Sequence, residues 1–147
     1  MNAYIKEIVY YLPQVEVTNE AIVRDFPEWS VEKIASKVGV EKRHVAAEDE
    51  TASDMAIKAA ECLFQKRDIK KEDIDFVLFC TQSPDYKLPT SACIIQYQLG
   101  LRKDIGALDF NLGCSGYVYG LSLAKGLIAG GIAVSYTHLT LPTICSV

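Results

Sequence analysis

The chain has 147 residues, half of them hydrophobic and 23% charged, with a formal net charge of −4. That length is enough for one domain with a real core, and the acidic balance excludes the basic footprint of a nucleic-acid binder. No apolar run approaches the roughly 18 residues that span a bilayer, and residues 1–7 lack the basic-then-apolar order of a signal peptide.

Residues 3–11 are rich in β-branched and aromatic types and end at Leu12-Pro13, which predicts a strand. Thr18 is a cap for a short helix carrying Ala21, Ile22 and Phe26, closed by Pro27. Ser30 caps a second helix through Val38, with Gly39 as its stop. Residues 40–50 are charged and read as irregular. A helix is expected from Ser53, with Met55, Ala59, Cys62 and Leu63 on its apolar face. The stretch Ile74–Cys80 is almost unbroken apolar sequence, the mark of a strand covered on both sides. A polar loop, Thr81–Pro89, precedes a helix from Thr90 to Leu99 that stops at Gly100. The segment Gly106–Leu112 reads as another buried strand. Residues 115–129 then form a helix with Tyr117, Leu121, Ala124 and Ile128 on one face, ended by Gly130-Gly131. Strands separated by helices indicate a layered α/β sheet.

Five cysteines (62, 80, 93, 114 and 145) make no CxxC pair, and two histidines offer no zinc spacing. No metal is expected, and a reducing cytoplasm is the expected setting. No phosphate-binding glycine loop is present. The short basic run Lys66-Arg67 with Lys70-Lys71 reads as a solvated face.

Cys114 stands out because an apolar strand pattern precedes it, an apolar helix pattern follows it, and Gly113 and Gly116 flank it. A lone cysteine is most often a small buried packing residue. At a strand-to-helix elbow, however, backbone N–H groups and the positive end of the helix dipole favour a thiolate, the form of sulfur that attacks carbonyl carbon. The flanking glycines are expected to leave room for an acyl group to approach. A catalytic group at the carboxyl end of a sheet strand also fits where α/β folds place their sites.

Several segments in order carry a resemblance: the opening segment ending in Tyr11-Leu-Pro13, Gly39-Val-Glu-Lys-Arg-His44, Asp49–Met55 opening a helix, and Thr81 after the buried strand. Leu88-Pro-Thr-Ser-Ala-Cys93 and Asp109-Phe-Asn-Leu-Gly-Cys-Ser-Gly116 complete the series. From about residue 2 to about residue 133 the chain resembles the N-terminal part of a β-ketoacyl-acyl-carrier-protein synthase III, a condensing enzyme of the thiolase-fold superfamily. The resemblance implies a partial thiolase-like α/β fold, with a mixed β-sheet and flanking helices. It makes Cys114 the nucleophile that takes an acyl group from acyl-CoA, which malonyl carrier protein then condenses with loss of CO2. No resident cofactor is implied; acyl-CoA and malonyl carrier protein are substrates.

The same resemblance puts Lys37 where an arginine commonly meets the CoA phosphates, a softer contact without the guanidinium fork. Thr81 falls near the acyl pocket. Leu88 falls where the family inserts a hydrophobic residue across a dimer interface, so the full-length enzyme is expected to be a homodimer. Lys33 occupies the position of the family's adenine-stacking tryptophan, with Trp29 four residues earlier; Trp29 is read as packing rather than as that platform, which leaves an acyl-carrier-protein donor open. His44 is read as a surface or interface residue.

The family's decarboxylating histidine and asparagine belong to a later region, so condensation is not expected of this chain alone. After Ala133 the text departs from the family. Residues 134–147 resemble translated adaptor sequence, and the expectation is an incomplete domain through residue 133 followed by a non-native tail, although Val134–Leu141 has strand propensity. Two other readings stand beside the acyltransferase: an inert truncated remnant, and another thiolase-fold enzyme such as a hydroxymethylglutaryl-CoA synthase or a polyketide-initiating synthase.

Overall fold

The computed structural model describes residues 3–66 and 68–133, and the backbone of 136–140. The expected non-native tail therefore lies outside the described residues at 134–135 and 141–147. The chain divides into two compact units: Leu12–Glu50, and the segment up to Tyr11 together with Thr51 onward.

In the Leu12–Glu50 unit, strand β1 (Val15–Thr18) pairs antiparallel with β2 (Lys42–Val45), and helices α1 (Asn19–Asp25) and α2 (Val31–Val38) lie between them in sequence. Both helices start as their sequences dictate. The Thr18 hydroxyl accepts from the Ala21 N–H, and the Ser30 hydroxyl from the Lys33 N–H. Each such cap contributes about 1 kcal/mol. Gly39 ends α2 at φ 69°, a left-handed conformation that disfavours any residue with a Cβ. Strand β2 corrects the expectation of an irregular 40–50. Its charged residues pair with a strand more than twenty positions away, and buried Asn19 ties the junction by donating to the Val40 carbonyl and accepting from Arg43. Lys42 reaches the Glu16 carboxylate at 2.5 Å and holds that carboxyl below its ordinary range. His44 Nδ1 lies 2.6 Å from the Pro13 carbonyl, a structural contact.

The other unit is built on a parallel sheet in the order β4-β3-β5, with β3 (Phe76–Cys80) between β4 (Gly106–Phe110) and β5 (Tyr136–Thr140). Helix α3 (Ala52–Phe64) precedes the sheet, α4 (Ser91–Gln98) connects β3 to β4, and α5 (Gly116–Ala129) connects β4 to β5. Alternation along β3 sends successive side chains to opposite faces. Val77 and Phe79 join a core with Ala56 and Ala60 of α3 and Ala92 and Ile95 of α4. Leu78 and Cys80 point the other way, and Cys80 packs on the first residue of α5. The strand is therefore covered on both sides, as its composition predicts.

Several expectations change here. Residues 3–11 form no strand: no ladder partner lies beside them among the described residues, and Tyr4, Ile8 and Tyr10 are exposed. Helix α3 begins at Ala52 rather than Ser53, with Thr51 as its N-cap; Thr51 and Asp54 form a reciprocal capping box. Its buried face is Ser53, Ala56 and Ala60, small residues that allow α4 to approach closely, while Cys62 is exposed. Strand β4 is shorter than Gly106–Leu112 and only half-buried, because β3 flanks it on one side alone among the described residues. On α5 the buried stripe is Gly116, Gly120, Ala124 and Ile128, with Tyr117 largely exposed. No helix among the described residues is long and apolar enough to cross a membrane.

Candidate functional site

Because α4 and α5 cover opposite faces of the sheet, the chain leaves β3 and β4 in opposite directions. A crevice forms where strand connections diverge in this way, at the carboxyl ends of the strands, and α/β folds place ligand sites there. The Thr81 N–H donates to the Phe110 carbonyl at 3.1 Å, extending the β3–β4 ladder one residue into that crevice.

Cys114 lies just beyond the end of β4, in a single 3-10 turn, Gly113–Ser115, that runs directly into α5. Its thiol is free and the residue is exposed, not walled into the core. The turn needs glycine at its first position, where Gly113 adopts φ 52°. Ser115 stands at the cap position of α5 but makes no side-chain cap bond; its hydroxyl donates to the Leu112 carbonyl at 2.9 Å instead. No side chain therefore caps α5; the Ser115 and Gly116 N–H groups turn instead to the Leu112 and Gly113 carbonyls.

Gly116 plays a different part from the one its flanking position suggests. A Cβ added there would stand 2.3 Å from Cys80 Sγ, so the space belongs to the buried thiol of β3 rather than to a substrate. Burial pushes the Cys80 thiol up from its ordinary value, offset in part by a hydrogen bond with the Leu112 backbone. Cys80 and Gly116 form the floor on which the Cys114 turn rests.

Of the residues singled out from sequence, Thr81, Gly113, Cys114 and Gly116 converge at this crevice. The Thr81 hydroxyl accepts from the Ser83 N–H at 3.0 Å, which folds the start of the loop on itself. Leu88 is 84% exposed and stands on the outside of that loop. Lys37 belongs to the other unit, on α2. There its ammonium lies 5.7 Å and that of Lys33 4.6 Å from the centroid of the half-buried Trp29 ring, so two cations and one aromatic face share one side of the helix.

Sequence reasoning missed two residues at the crevice. Exposed Gln82 places its carboxamide nitrogen 3.4 Å from where a side chain on Gly113 would begin, beside the Cys114 turn. Asp109 accepts from the Ser91 and Ala92 N–H groups at 2.7 and 2.6 Å, capping α4 from strand β4. Asp109 opens the quoted Asp109–Gly116 segment, but a cap that crosses from a strand to another helix leaves no mark in local sequence. The described residues hold no cluster of three or more metal-ligating side chains.

No protein-family model matches the chain. It is 41% identical over 134 residues to β-ketoacyl-acyl-carrier-protein synthase III of Sulfurovum sp., and 38% identical over 133 residues to synthase III 2 of Halalkalibacterium halodurans, in each case over 88% of this chain. A 2.1 Å crystal structure of a 3-oxoacyl-acyl-carrier-protein synthase III superposes with a TM-score of 0.87 and 50% identity, over 92% of this chain and 40% of that one. The chain spans 38–39% of the length of the two curated relatives. The sheet, its flanking helices and the elbow are thus part of a thiolase-like fold. In sequence and in fold alike, the chain belongs to the β-ketoacyl-acyl-carrier-protein synthase III family and forms a part of such an enzyme.

Proposed function

We propose that this chain supplies the acyl-accepting half of a β-ketoacyl synthase III reaction, with Cys114 as the nucleophile. The observation that carries the reading is an exposed cysteine one turn before a helix whose first N–H groups no side chain caps, at the carboxyl end of a parallel strand. The Cys114 thiolate attacks the thioester carbonyl of acyl-CoA. A new carbon–sulfur bond forms, the carbonyl oxygen takes the negative charge, and the CoA thiolate leaves as the carbonyl re-forms. On this reading the Cys114 backbone N–H donates to that oxyanion, and one such donor is typically worth about 3 kcal/mol. Splitting the transfer through an acyl-enzyme replaces one difficult step with two easier ones.

In the whole protein, malonyl carrier protein would lose CO2 and its carbanion equivalent would attack the Cys114 thioester, releasing the ketoacyl product and the free thiolate. Lys37 of α2, at the position where the family's arginine commonly meets CoA phosphates, supplies a cation that suits a phosphate-bearing donor, which supports acyl-CoA. An apolar Leu88 exposed on a loop suits insertion into a second copy, hence a homodimer. Free, exposed Cys62, Cys93 and Cys114 suit a reducing cytoplasm.

The direct test is intact-mass spectrometry after incubation with acetyl-CoA. One added acetyl group, mapped to Cys114 and absent from Cys114→Ala, is the expected result. An unlabelled chain, under conditions that label a full-length relative, would overturn the proposal in favour of an inert remnant.

A further inference from the structure

The loop Thr81–Thr90 leaves the crevice at Thr81 and carries Leu88 on its outside, and three anchors hold it. At its start, the Thr81 N–H donates to the Phe110 carbonyl of β4. At its middle, the Asp85 carboxylate accepts from the Ser53 hydroxyl, accepts from the Ser53 N–H at 3.4 Å, and lies 3.1 Å from the Thr51 hydroxyl at the start of α3. Just past its end, the N–H groups of Ser91 and Ala92 donate to the two oxygens of Asp109. Ser91 is fully buried, and its hydroxyl accepts from the Asp85 N–H at 3.3 Å, so the middle and end anchors are joined.

The Asp109 contact caps α4 from outside the helix's own neighbourhood. Thr90 already occupies the N-cap position with a hydroxyl that makes no cap bond. A local cap would satisfy the helix and leave it independent of β4. A carboxylate reaching across from β4 takes both N–H groups through charge-assisted bonds, and it ties α4 to the strand that ends at Cys114. We propose that Asp109 is a positioning residue for acyl transfer to Cys114: it fixes the Thr81–Thr90 loop to the nucleophile's own strand and thereby sets which acyl groups reach the sulfur. This rests on the reading of Cys114 as acyl acceptor.

The test uses the full 147-residue chain. Cys114 is labelled with iodoacetamide, with a series of N-alkylmaleimides of increasing chain length, and with acyl-CoAs of matching length; labelling is quantified at the Cys114 peptide. In Asp109→Asn the iodoacetamide rate stays within about twofold of native, because the small reagent needs only an exposed thiol. The ratio of long-chain to short-chain labelling shifts by about fivefold or more, because the approach path has lost its fixed wall. A merely structural role would lower the melting temperature and change all reagents in proportion, leaving that ratio unmoved, and such a result would overturn the proposal. If Asp109→Asn does not fold, Asp85→Asn frees the middle of the same loop without touching α4, and an unchanged ratio there overturns the proposal equally. Failure of acyl-CoA labelling with a shifted maleimide ratio would sink the acyl-transfer reading and leave the positioning role. Normal acyl-CoA labelling with an unshifted ratio would do the reverse.

Discussion

The helices of the Leu12–Glu50 unit begin differently from those at the Cys114 crevice. In the first region a hydroxyl immediately before each helix, Thr18 or Ser30, caps it, and a left-handed glycine ends α2. At the crevice neither helix is capped by its own neighbour: α4 borrows Asp109 from a strand, and α5 has no side-chain cap at all. The first arrangement holds each helix on its own. The second joins a helix to a strand in one case and leaves a helix without any side-chain cap in the other.

The sharpest way to break this contrast is at the floor of the crevice. Gly116→Ala puts a methyl 2.3 Å from Cys80 Sγ, and Cys80 is 9% exposed in a packed strand with little room to shift. We expect a loss of about 2 kcal/mol, within the range of overpacked cores, seen as a lower denaturant midpoint. The double variant with Cys80→Ala should recover much of it. Without the sulfur, the nearest remaining atom of residue 80 is 3.9 Å from the new methyl, an ordinary contact. Equal losses in the single and double variants would show that the two residues are not coupled and that the glycine serves some other need.

Caps give the next largest effect and test the comparison itself. Ser30→Ala and Thr51→Ala each remove a hydroxyl that accepts a helix N–H, and each should cost about 1 kcal/mol in chemical denaturation. Thr90→Ala removes no cap bond and should fall within about 0.5 kcal/mol of native, the ordinary range for such a surface change. A Thr90→Ala loss as large as that of Ser30→Ala would mean that α4 is capped locally after all.

What could be read from sequence follows the same division. Helix α2 was legible from Ser30 to Gly39 because cap, periodicity and stop lie within ten residues. So was β3, whose apolar run needs covering on both sides. The Cys114 elbow was legible because strand, glycine, thiol and helix are consecutive. The misreadings concern relations over distance. Residues 3–11 have strand composition, but propensity reports fitness for a pleated surface and a partner must supply it. Charged Lys42–Val45 became a strand because β1 does supply one. The face of α3 was misjudged because large apolar residues were weighted over Ser53, Ala56 and Ala60, whose smallness is what lets α4 come close. The Asp109 cap and the Cys80–Gly116 contact had no local signal, since each pairs residues brought together only when the sheet and its helices assemble.

The smallest expected effect comes from Cys80. Its thiol is held above the ordinary range chiefly by burial, so the folded state takes up its thiolate less readily than the unfolded chain does. The sign follows from linkage: this group's contribution to stability is fully present below the unfolded thiol's pKa, about 8.5, and is lost as pH climbs through the raised folded value. Native protein should therefore lose stability as pH rises past about 8.5 more steeply than Cys80→Ala, which has no thiol to ionise there. Iodoacetamide mapping over the same range adds a kinetic check, because Cys62 and Cys93 are exposed and react first while Cys80 lags. If Cys80 were labelled as fast as those two in folded protein, the thiol would not be the packed floor of the crevice. Gly116 would then be free to face a substrate, as its place beside Cys114 first suggested.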